Sequence, residues 1–162
     1  MTRAQKKLTA IAVALLSGAS LLAGGAAFAG IGEELTIAQT HALLAYRTGG
    51  RGERGITQGH MYVQHAINCL VGPGGQGYDL TQPDLGPGRA NPAASAPTGM
   101  DPCASDKTNK GALNDAASPA QKQKVQAAID VAKGALAITD NEKLTEAATA
   151  LADAVGDAKE TK

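Results

Sequence analysis

Apolar residues recur along this chain at helical spacing in four places. In the first, Ile37, Ala38, His41, Leu44 and Ala45 share one face of a 3.6-residue repeat, which predicts a helix over about residues 33–47. Glu33 and Glu34 suit its first turn, where the helix dipole favours negative charge, and Gly49-Gly50 supplies a stop. A second helix is predicted over about 57–71, with Ile56 and Met61 placed as a hydrophobic staple at its start and Gly72-Pro73 at its end. The polar stretch Thr48 to Gly55 connects the two, and so short a connection favours antiparallel neighbours.

Two further periodic segments lie near the C-terminus. Ser118-Pro119-Ala120-Gln121 has the form of a capping box with Pro at the first helical position, and Val125, Ala128, Ile129, Ala132 and Leu136 then trace a seam over about 119–138. Thr139-Asp140-Asn141-Glu142 offers a second box ahead of Leu144, Ala148, Leu151 and Val155, giving a helix over about 140–157. Between the two pairs, residues 73–117 hold six of the seven prolines and many glycines, which interrupt any continuous helix or central strand. Each apolar face is narrow and needs a partner. The expected fold is all-α: a four-helix bundle made of two antiparallel helical hairpins joined by a long Gly/Pro-rich, disulfide-tied loop, forming a single domain over residues 30–162.

The N-terminus has a different pattern. Arg3, Lys6 and Lys7 precede an apolar run from Leu8 to Leu22, and Ala27-Phe28-Ala29 supplies the small-x-small pattern of a cleavage site. Residues 1–29 are therefore expected to be a cleavable signal peptide, and the protein to be secreted or periplasmic. No other apolar run is long enough for a membrane span, so none is expected after signal cleavage.

Export changes the reading of charge and cysteine. The whole chain balances 15 basic against 15 acidic residues; removing three basic ones with the signal leaves the remainder mildly acidic. Nucleic acid is not an expected partner, because phosphate binding needs a concentrated positive field. Cys69 and Cys103, the two cysteines, are expected to pair in an oxidising compartment. Such a crosslink matters, because Trp is absent, the one Phe lies in the signal, and Ala dominates the apolar positions. A core of that kind buries little area per residue.

Candidate chemistry centres on Gly59-His60-Met61-Tyr62-Val63-Gln64-His65-Ala66-Ile67-Asn68-Cys69. Met61, His65 and Cys69 lie at successive four-residue steps, on one stripe of a helix. If the first two helices are antiparallel, His41 lies within about one turn, 5.4 Å, of both His60 and His65. His60 and His65 diverge by about 140° around an ideal helix, so one of them faces His41. His65 is the better choice, since its stripe leads to Cys69 and His60 sits at an exposed helix start. Imidazoles from facing helices hold transition metals in bundles, which makes His41, His65, His60 and Met61 the candidate ligands of a Cu, Zn or Ni ion. The scarcity of aromatic residues argues against haem. A softer set, Met61, His65, Cys69, Met100 and Cys103, would suit Cu(I) but competes with the disulfide for the same sulfurs.

Other motifs carry less. Residues 72–77 follow a predicted helix, not a strand, so their glycines do not form a phosphate loop. Asp79, Asp84, Asp101, Asp106 and Asp115 match no calcium-loop spacing. Glu33, Glu34, Glu53 and Glu142 sit in helix-end or turn positions that need no chemistry, and no nucleophile elbow is present, so an enzyme is not expected. The expectation is an exported helical binding protein that takes a metal through the N-terminal hairpin; its rival is a non-catalytic structural or protein-interaction module of the cell envelope, with an envelope protein as partner.

Overall fold

A computed structural model of the chain describes residues 30–49, 52–81, 103 and 108–162. The expected signal peptide, Met100 and the middle of the Gly/Pro-rich loop lie outside these residues. Every regular element described is helical: α1 (Ile31–Gly49), α2 (Glu53–Val71), a single turn α3 (Ala112–Asp115), α4 (Pro119–Leu136) and α5 (Asn141–Glu160). The all-helical expectation and the Cys69–Cys103 pairing are borne out.

The predicted boundaries shift for local reasons. The connection between α1 and α2 is shorter than the stretch Thr48 to Gly55, because glycine without proline weakens a helix but does not stop it. Gly52, at a positive φ of 68°, makes the N-cap of α2, so Ile56 and Met61 both lie inside the helix and are not a staple. Ser118 does cap α4, accepting the Gln121 N–H at 3.1 Å, while Gln121 Oε1 reaches back to the Ala117 N–H at 2.9 Å. The α5 cap is Asp140 and not Thr139: its carboxylate accepts the Lys143 N–H at 2.9 Å.

Packing follows the apolar stripes. α1 packs most extensively against α2 and α5, α5 against α4, and α2 against α4, while α3 touches α1, α2 and α4. The buried face of α1 is rotated from the predicted one. Leu35, Ala38, Ala42 and Ala45 lie in the core, Ile37 only packs against it, and Leu43 and Tyr46 are exposed. Eleven core side chains among the described residues are Ala, which lets the helices approach closely but buries little apolar area per position. Gly59 illustrates the closeness: a Cβ there would lie 2.7 Å from Leu144 Cδ2.

Polar ties hold the helices in register. Gln39 Nε2 donates from α1 to the Ala152 carbonyl of α5 at 3.3 Å, and Gln121 Nε2 donates from α4 to the Ala158 carbonyl of α5 at 3.3 Å. The Lys124–Asp157 ion pair, 3.2 Å long, is exposed on both sides and adds little. At the end of α2, Gln64 Nε2 donates to the Gly77 carbonyl at 2.8 Å, and Asn68 exchanges two bonds with the Asp79 backbone. These bonds fold residues 77–79 back along α2. Gly72 and Gly111, both at positive φ, then let two backbones touch, since a Cβ on either would overlap the main chain of the other segment.

Candidate functional site

α2 is the most enclosed helix: Met61 and every residue from Val63 to Val71 are buried. Its hydrophobic residues cannot account for all of that surface, so polar side chains are buried too. His65 is one of them, at 0% exposure, and His41 on α1 is another, at 6%. His41 comes one residue before the core position Ala42 and three after Ala38, which carries its ring to the seam with α2. The two imidazoles meet there with ring centroids 4.9 Å apart and planes at 79°, edge to face.

Tyr62 closes the cluster. Its ring stacks on His41 at 6.0 Å and 27°, and presents its edge to His65 at 6.1 Å. Burial, reinforced by the neighbouring His65, pushes His41 down to about 3, so its imidazole is neutral across the physiological range. Nδ1 of His41 is buried and has no hydrogen-bond partner among the described residues. A neutral, desolvated imidazole with an unengaged ring nitrogen is a competent ligand, because no proton has to be displaced before a metal binds.

The other sequence candidates separate. Met61 is buried at 2% exposure, one helical turn before His65 on the same stripe. His60 does not sit at an exposed helix start, as the sequence suggests. It lies two turns into α2, half-buried, with Nε2 2.8 Å from the Ile138 carbonyl at the α4–α5 connection. That bond directs its ring away from the His41–His65–Tyr62 contacts and makes it a tie between helices. Cys69 and Cys103 are joined in the disulfide, Cα to Cα 5.0 Å, so neither offers a thiolate and the soft ligand set containing them does not form. Among the described residues, no group of three or more His, Cys, Asp or Glu converges in a way that would hold a metal ion. The candidate site thus consists of two imidazoles, a neighbouring thioether and a tyrosine.

A second buried titratable group was not expected. Glu34 is not a helix-end charge in solvent; it is 0% exposed and points into the junction of α1 with residues 109–111. Its Oε1 accepts the Gly111 N–H at 3.0 Å, a proton shared with Asn109 Oδ1 at 2.8 Å. Oε2 is buried with no hydrogen-bond partner among the described residues. Burial and then the Asp115 carboxylate push Glu34 up to about 7, against the opposing pull of the Gly111 and Lys110 backbone and the Lys110 charge. Asn109 in turn donates to the Cys103 carbonyl at 2.6 Å, so the disulfide, Asn109 and Glu34 form one connected anchor between α1 and the end of α2.

No helix among the described residues is long and apolar enough to cross a membrane. Comparison of the chain with protein-family models, with curated proteins and with solved structures finds no match.

Proposed function

We propose that this chain is an exported, non-catalytic helical protein that binds a transition-metal ion between His41 of α1 and His65 of α2. In this reading the four long helices form a bundle of two antiparallel hairpins, α1 with α2 and α4 with α5, and the first hairpin carries the site. The single observation behind it is the burial of two imidazoles against each other, 4.9 Å between centroids, with a ring nitrogen of His41 left without a partner among the described residues. An unpaired buried polar atom costs about 1–3 kcal/mol, and a bound ion would offset that cost. The disulfide supports export, since such bonds persist in oxidising compartments.

Metal analysis of the purified protein, followed by melting curves with Cu, Zn or Ni added, tests this. Bound metal, or an ion at a hundred times its Kd that contributes about 2.7 kcal/mol and raises the melting temperature by roughly 5 °C or more, is the expected outcome. The rise should vanish in His41→Phe. Absence of metal together with unchanged melting in all three ions would overturn the proposal.

The second reading, an envelope interaction module without metal, has its own support. Leu43 and Tyr46, 47% and 48% exposed, stand one turn apart on the outer face of α1, where a protein partner would find apolar anchors.

A further inference from the structure

We infer that the ion held at this site is monovalent copper, with the Met61 thioether as its third donor. The inference rests on the metal-binding reading above and adds the identity of the ion and of one ligand. It starts from the stripe Met61, His65, Cys69. Because Cys69 is bonded to Cys103, the soft sulfur left on that stripe is Met61. Met61 is buried at 2% exposure, on the same helix as the core residues Val63, Ala66, Ile67 and Leu70. The four-residue step places its side chain beside His65.

The donors available are then two imidazoles and a thioether, with no convergent group of three His, Cys, Asp or Glu among the described residues. Such a set supplies no negative charge. Burying a dication in it is disfavoured, because the desolvation cost of an ion grows with the square of its charge. Zinc sites are four-coordinate and draw on thiolate, carboxylate or three imidazoles. Cu(I) is a monocation, is satisfied by few ligands and favours soft sulfur and imidazole donors. The buried seam beneath Tyr62, stacked 6.0 Å from His41, also limits access of water and oxidant to the ion. Binding here is ligation alone: the Cu(I) ion supplied from outside accepts lone pairs from two nitrogens and a sulfur, and no electron is transferred.

The test is an anaerobic competition for Cu(I) between the purified protein and a chromogenic Cu(I) chelator, with ascorbate holding the copper monovalent. Thiol counting confirms that the disulfide stays closed, and X-ray absorption at the copper edge reads the ligands. One equivalent of Cu(I) should bind, with nitrogen and a single sulfur in the first coordination sphere. Losing even an outer-shell partner costs about 10–100-fold in affinity, so Met61→Leu should weaken Cu(I) by about tenfold or more. It should also erase the sulfur scattering, and His41→Phe should abolish binding. Leu is close to Met in volume, and should Met61→Leu fail to fold, the sulfur scattering of the unsubstituted protein decides. Zn2+ or Ni2+ binding without Cu(I) binding would overturn the copper assignment while leaving the imidazole pair intact. Cu(I) bound without sulfur, or unaffected by Met61→Leu, would overturn the role of Met61. Failure of every metal would remove the underlying reading as well.

Discussion

Replacing His41 with Phe is expected to reverse the response of this protein to acid. His41 has its folded-state pKa lowered to about 3 from 6.5, so the native state binds fewer protons than the unfolded chain between those values. Stability associated with His41 is therefore complete above pH 6.5 and is lost as pH falls toward 3, by about 5 kcal/mol in all. Glu34 acts with the opposite sign. Its pKa rises from 4.5 to about 7, so its contribution is complete below pH 4.5 and is lost as pH rises through 7, by about 3 kcal/mol. Between pH 4.5 and 6.5 the two nearly cancel, and below 4.5 His41 acts unopposed. Urea unfolding from pH 3 to 8 should show a plateau and then an acid fall. In His41→Phe the acid fall should shrink and stability should increase on acidification from pH 7 to 4.5. In Glu34→Gln the plateau should be replaced by a continuous decline from pH 6.5 downward. Equal pH profiles for all three proteins would mean that neither group is buried as described.

Removal of the disulfide should have an effect of similar size. The crosslink spans a sequence separation of 34, which in the chain-entropy picture corresponds to about 4 kcal/mol. Domains of this size are stable by roughly 5–15 kcal/mol, and a core so rich in Ala has little in reserve. The bond also anchors Asn109 through the Cys103 carbonyl, and with it the Gly111 N–H that Glu34 accepts. Cys69→Ala combined with Cys103→Ala should therefore lower the urea midpoint steeply and raise hydrogen exchange first at Asn109, Gly111 and the start of α1. Loss of less than about 1 kcal/mol, or exchange unchanged at that junction, would show that the anchor is held by packing alone.

Much of the helical content was legible because caps and periodicity agree. Ser118 with Pro119 and Gln121, and the seam through Leu144, Ala148, Leu151 and Val155, place α4 and α5 to within two or three residues. The start of α2 was misread because Gly52 and Gly55 look like turn residues, whereas only Gly52 takes a positive φ and Gly55 continues the helix. Pairing of Cys69 with Cys103 followed from their being the two cysteines in a chain expected, from its N-terminal pattern, to be exported.

The site was legible in part. His41 against His65 follows from the antiparallel argument and the stripe through Cys69. The half-buried position of His60 was hidden, since its partner is a backbone carbonyl 78 residues away. Glu34 carried a usable signal: it lies four residues before Ala38 and on its buried stripe, while Glu33 does not. Acidic residues in a first helical turn are so often solvated that the charge outweighed the spacing. The Gly111 N–H that donates to it comes from a loop whose path no local pattern reveals.

The most direct test of the buried imidazole pair is nitrogen NMR of the three histidine rings as Cu(I), and in parallel Zn2+, is added. Ring signals of His41 and His65 should move together and saturate at a single equivalent, with His60 unchanged. Movement of His60 first, or of His41 and His65 independently or not at all, would contradict the account.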